Sequence, residues 1–170
     1  KNDETIGTLY GAIVAQARNP LFYSAHGVPD TVQGRFEMVV LHAFLMLHRL
    51  KEESEERREL GQELFDLLFL DFDRALRELG VADTKVPKKI RQMGEAFYGR
   101  VRAYDEALAS GEERALRDAL ARNVLADPTG DAAVLAAYVR QAAAAFAARP
   151  YESFLAGDLP FPTVPRGADT

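Results

Sequence analysis

The chain is predicted to be all-α, a single-domain bundle of about six helices followed by an extended Pro-rich C-terminal tail. Apolar residues recur at three- and four-residue steps through most of its 170 residues, the spacing of one face of a 3.6-residue helix. Between those stretches the chain is broken by Asn-Pro, Gly and Asp-Pro-Thr-Gly, all poor helix formers. No stretch alternates apolar with polar residues as a half-buried strand would. Chains of about 150 residues bury roughly two-thirds of their unfolded surface. The simplest organisation is therefore a helical domain over residues 1–148 and an extended or partly disordered tail over 149–170.

A first helix is expected over residues 5–18, with Leu9, Ile13 and Ala17 stacked at four-residue spacing. It stops at Asn19-Pro20 and gives way to a loop reaching Pro29, which carries Phe22, Tyr23 and His26 on a Pro/Gly frame. Asp30 is the expected N-cap of a second helix over 31–53, with Gln33 placed as its capping-box partner. That helix puts Phe36, Val40, Ala43, Leu47 and Leu50 on one face, and Val39, Leu41, Phe44, Leu45 and Met46 cover much of the rest. A helix apolar nearly all round belongs at the centre of a bundle.

The charged run KEESEERRE leads into a third helix over 55–79, striped by Leu64, Leu67, Leu68, Phe72, Leu76 and Leu79 and stopped by Gly80. Pro87 sits in the first turn of a fourth helix, where Ile90, Met93, Phe97, Val101, Tyr104 and Leu108 form the cleanest amphipathic pattern. Gly94 and Gly99 interrupt it at a cost of about 1 kcal/mol each relative to alanine, which predicts close approach by a neighbouring helix. Ser110-Gly111-Glu112-Glu113 reads as a capping box for a fifth helix to residue 124, and a sixth spans 131–148.

Composition narrows function. The chain has no cysteine, which excludes disulfides, thiol nucleophiles, iron–sulfur clusters and thiolate zinc sites and fits a reducing compartment. A net charge of -5 argues against DNA or generic polyanions as partners. No run reaches the roughly 20 apolar residues that cross a bilayer. Lys1 in place of Met suggests that the sequence begins inside a longer protein, whose preceding part would hold any targeting segment.

No catalytic residues and no metal or cofactor site are expected. His42 and His48 lie six residues apart, about 240° around a helix, so they cannot grip one metal together; His42 is read as structural rather than as a haem ligand. Asp66, Asp71 and Asp73 invite a magnesium–phosphate reading, but Arg74 and Arg77 follow at helical spacing and ion pairing on a solvated side is the preferred account. Lys85, Lys88, Lys89 and Arg91 form the densest positive cluster, a candidate contact for an anion or the ribosome, with simple balancing of the Glu-rich turn as the plainer reading.

Several ordered blocks carry a family resemblance: LYGAIVAQAR (9–18), FYSAHGVPDTVQGRFEMVVLHAFLMLHRL (22–50), LFDLLFLDFDRALRELGVAD (64–83) and KKIRQMGEAFYGRVRAYDEAL (88–108). Through them the chain resembles the ubiquinol-cytochrome c chaperone family, assembly factors for cytochrome b of respiratory complex III, and looks like a bacterial member. The resemblance is strongest over 9–108 and fades in the Ala-rich sixth helix and the tail.

What the resemblance implies is an all-helical, non-catalytic chaperone that binds newly made cytochrome b and supports assembly of the ubiquinol-cytochrome c reductase complex. The ribosome and a small helical protein are further implied partners. The implied location is cytoplasmic, peripheral to the inner membrane, or the mitochondrial matrix in a eukaryote. Phe22, Tyr23, His26, Arg35 and Phe36 are the residues expected to line a groove for an apolar client segment. Arg18, Pro29, Asp30 and Thr31 are expected to organise the loop around it. Two other classes remain open, a small-molecule or lipid-binding bundle and a ribosome-associated adaptor. An enclosed polar pocket around Asp66, Asp71 and Asp73 would favour the former, and a shallow apolar groove beside Tyr23 would favour the chaperone.

Overall fold

The computed structural model describes residues 3–167. Its elements are α1 (Asp3–Ala17), α2 (Pro20–Ser24), α3 (Val32–Leu50), α4 (Glu55–Glu78), α5 (Val86–Ser110), α6 (Glu113–Asn123), α7 (Ala133–Ala147) and α8 (Tyr151–Leu155), with no strand among the described residues. The six long helices are the six read from the sequence. The two five-residue helices lie in the loop and the tail, too short to show a periodic pattern.

α3 is the central helix, packed against α1, α4, α5 and α7. Met38, Val40, Leu41, Phe44, Leu45 and Met46 are all shielded from solvent, so almost every side of its middle turns meets another helix. Each such side chain contributes about 1.5–3 kcal/mol on leaving water, and this burial outweighs the modest helix propensity of the β-branched residues.

The start of α3 differs from the expected cap. Thr31, not Asp30, is the N-cap, its Oγ1 accepting from the Gly34 amide at 3.0 Å. The Asp30 carboxylate turns instead to Arg35, accepting from Nε at 2.9 Å, and Gln33 donates to Glu37 at 2.9 Å rather than closing a capping box. Gly34 is required here: a Cβ would stand 1.9 Å from the Pro29 carbonyl oxygen, so the loop crosses directly over the first turn.

Glu37 is buried within α3 and accepts two hydrogen bonds from Arg100 of α5, each 3.0 Å, tying the central helix to the bundle's far side. Ser110 ends α5 and does not open α6. It donates to Ala107 O, and Gly111 takes the left-handed conformation that terminates the helix. Gly94 and Gly99 have nothing within 4 Å of where a Cβ would stand, so the close helix approach expected at them is not made. Phe97 packs edge-on against Phe65 and Phe69 of α4.

The tail lies along the bundle. Phe154 is fully buried beside Phe146. Phe161 packs against His42 and Phe146, and Val164 is buried. Gln16 donates to the Pro162 carbonyl at 3.1 Å. Residues 168–170 of the expected tail fall outside the described residues.

Candidate functional site

α1, α3 and α4 leave an open trough between them, about 330 Å³ in volume, floored by Val14, Phe36, Val39, Phe72 and Leu76 and reached by Met93 of α5. Helical spacing creates it. Tyr10 and Val14 on α1 and Arg18 just past its end stand one turn apart, as do Val32, Phe36 and Val39 on α3. Val32 and Leu79 at its edge are 64% and 62% exposed, large apolar side chains left in water on a protein whose other aliphatics are mostly covered.

Polar groups brace the rim. The Tyr10 hydroxyl donates to the Asp71 carboxylate and pins α1 to α4. Burial, then that hydrogen bond, holds the Tyr10 phenol protonated well above its ordinary range. The Tyr23 hydroxyl donates to Ala17 O at 3.1 Å, which fixes the ring at the end of α1, where it lines the trough. Burial raises the Tyr23 pKa too.

Of the five residues expected to contact a client, the structure brings Tyr23, Arg35 and Phe36 together along this trough. Phe22 is a correction. It is fully buried, edge-on to His42 at 5.4 Å and Tyr138 at 5.2 Å, because the short helix α2 turns adjacent side chains about 100° apart and sends Phe22 inward. His26 is also misplaced by the expectation. It is buried, its Nε2 donates to the Pro165 carbonyl, and it borders a separate depression with Leu125 and Asp127.

Among the loop-organising residues, Pro29 sits over Gly34, Asp30 holds Arg35 and Thr31 caps α3. Arg18, expected to organise the loop, makes no ion pair among the described residues and lines the trough instead. The sequence reading missed Tyr10, Val14, Val32 and Leu79. The signal for Leu79 was present and misread, since it continues the α4 stripe but lies one residue past the helix, where no partner covers it.

The remaining candidates fall elsewhere. His42 is fully buried, with Nδ1 against Met38 O at 2.7 Å and Nε2 against the Tyr138 hydroxyl at 2.9 Å, and burial lowers its pKa to about 4. Asp66 accepts from Gln62, Asp71 from Tyr10, and Asp73 from Arg77, with no group of three His, Asp or Glu placed to hold a metal among the described residues. Lys85, Lys88, Lys89 and Arg91 are exposed at the start of α5 and make no ion pairs among the described residues. Lys89 stands one turn from Met93, which reaches the trough. No helix among the described residues is long and apolar enough to cross a membrane.

The geometry is that of a helical scaffold with an uncovered apolar trough. The chain is 42% identical to the protein in the crystal structure of the Cbp3 homolog from Brucella abortus, with a TM-score of 0.87 over 96% of this chain and 91% of that one. It is 26% identical over 136 residues to ubiquinol-cytochrome-c reductase complex assembly factor 1 of Xenopus laevis, covering 78% of this chain and 68% of the frog protein. The Drosophila melanogaster protein of that name is 27% identical over 155 residues, 86% of this chain and 60% of the fly protein. The match with the mouse protein spans only 35% of its length. Residues 24–161 match the family model described as ubiquinol-cytochrome C chaperone. With that model spanning everything from the end of α2 to Phe161 in the tail, the chain belongs to the ubiquinol-cytochrome c chaperone family.

Proposed function

We propose that this chain is a non-catalytic assembly chaperone for the ubiquinol-cytochrome c reductase complex and that it holds newly made cytochrome b by an apolar segment seated in the α1–α3–α4 trough. The observation that carries the reading is the pair Val32 and Leu79, exposed on either side of a floor made of Phe36 and Phe72. Covering these two side chains would contribute about 1–2 kcal/mol each, given that full burial of a Val or Leu is worth about 1.5–3 kcal/mol. Tyr23 supplies an aromatic wall with its hydroxyl already satisfied, which lowers the desolvation cost of binding.

The test is deletion of the gene in its host with cytochrome b and assembled complex III as readouts, and rescue by wild-type, Tyr23→Asp and Val32→Asp forms. Loss of the complex on deletion, restored by wild type but not by either variant, is the expected result. Normal cytochrome b in the deletion strain would end the chaperone reading. Full rescue by both variants would keep the chaperone and discard the trough.

A ribosome-facing role is a second reading, favoured by the four exposed cations at the start of α5. Salt-sensitive co-sedimentation with ribosomes, lost in Lys88→Glu/Lys89→Glu, would support it. A location peripheral to the inner membrane is proposed with the membrane-protein client.

A further inference from the structure

Beyond Tyr23 the trough continues into an outer depression of about 520 Å³. Arg18, Tyr23 and Arg35 line both, so the Tyr23 ring stands at the threshold between an apolar hollow and a charged one. The charges sort across that threshold. Asp71 and Glu78, the carboxylates that line the trough, lie on α4 and do not line the outer depression, where Asp30 is the one carboxylate among the described residues.

Asp30 engages one arginine and leaves the other. A single Asp30 oxygen accepts from Arg35 Nε at 2.9 Å and stands 2.8 Å from Nη2, while Arg35 Nη1 meets no carboxylate among the described residues. Both side chains of that pair are more than half exposed, so water competes for it and it holds Arg35 only weakly. Arg18 makes no ion pair among the described residues. Burial raises the Tyr23 pKa, and Arg35 and Arg18 both oppose the rise, so the two guanidinium charges reach the same ring. The outer depression therefore carries an excess of positive charge on a chain whose net charge is -5.

We propose that the trough takes an apolar helical segment whose end carries an aspartate or glutamate, with that carboxylate held beyond Tyr23 by Arg18 and Arg35. This rests on the reading of the trough as the client site and adds which segments fit and which way round they lie. Along α1 the trough runs from Tyr10 to Arg18, about 12 Å at about 1.5 Å per residue, the length of about two turns of a helix. Two turns present apolar anchors at i, i+3 or i+4 and i+7, the pattern of a helix laid in a groove. A carboxylate one turn further on meets the arginines, whose planar forks offer parallel N–H donors to its two oxygens. At the Tyr10 end the charge lining the trough is Asp71, so a reversed segment would set like charges together.

The experiment follows the fluorescence anisotropy of short labelled peptides binding to the whole chain. All carry the same two-turn leucine and phenylalanine stripe on an alanine and glutamine helix, and they end in Glu-Glu, Gln-Gln or Lys-Lys. Affinity should fall in that order, with about 10-fold between the extremes at low salt and little difference at high salt. The net charge of the chain favours the opposite order, so the expected one reports the local arginines. Arg18→Glu, an exposed change, should reverse the order, and Val32→Asp should weaken all three peptides alike. Equal binding of the three by wild type, or a Glu-Glu preference that survives Arg18→Glu, would overturn the proposal and leave the trough as the client site. Binding untouched by Val32→Asp, saturable oleate uptake that excludes all three peptides, or self-association of the chain that Val32→Asp abolishes would overturn the client reading and the proposal together.

Discussion

His42 makes the bundle sensitive to acid in a way that can be worked from its surroundings. The ring is fully buried, bonded to Met38 O and the Tyr138 hydroxyl, and burial lowers its pKa to about 4 against an ordinary 6.5. Between those values the unfolded chain takes up a proton that the folded chain refuses. The unfolded state binds more protons, so stability rises with pH through this window and is lost as pH falls below 6.5. With about 1.4 kcal/mol per unit, the loss approaches about 3 kcal/mol by pH 4. Carboxylates also titrate there, so the measurement is a difference: urea denaturation of wild type and His42→Gln at pH 7 and pH 4.5. Wild type should lose about 2–3 kcal/mol more than the variant between the two. Parallel losses would refute the reasoning, because they would mean that the imidazole is not kept neutral by its burial.

Arg100→Ala leaves Glu37 buried without its bidentate partner and should cost about 3 kcal/mol, the low end for a broken buried pair because Arg100 is partly exposed. That corresponds to a melting point about 6–12 °C lower by circular dichroism; the double change Glu37→Leu/Arg100→Met should recover most of it. Gly34→Ala forces a methyl group into the Pro29 carbonyl and should destabilise by about 3 kcal/mol, since backbone rather than a side chain must yield. Val32→Asp and Leu79→Asp should leave the unfolding free energy within about 1 kcal/mol of wild type, as exposed positions do, yet abolish pull-down of the client. Unchanged pull-down would move the binding surface elsewhere.

Long-period features were legible in the sequence and local choices were not. The all-round apolar character of 36–50 announced a central helix, and α3 is central because nothing but contact on every side can cover Met38, Phe44 and Met46 together. The N-cap of α3 was misread because Asp30 and Thr31 are both good caps. A cross-turn partner, Arg35, decided between them by claiming the carboxylate. Phe22 and Tyr23 looked equivalent in a loop. A five-residue helix invisible to periodicity separates them, one into the core and one toward the trough. The trough's α1 and α4 walls escaped notice since Val14 lies beside the Leu9–Ile13–Ala17 stripe that was read and Leu76 looked like any other position of the α4 stripe.

The tail gives the corner around Tyr23 an unusual folding history. Gln16 and His26 are held by the carbonyls of Pro162 and Pro165, across separations of 146 and 139 residues. Closing so long a loop is entropically slow and comes after the local helices have formed. The trough's aromatic wall is then finished late, when residues from the opposite end of the described chain have arrived. The two segments also meet through the core, with Phe22 and Phe161 both packed on the His42 ring, so neither opens without the other. Hydrogen exchange should find 19–29 and 161–165 opening as one unit, although neither is near the other in sequence.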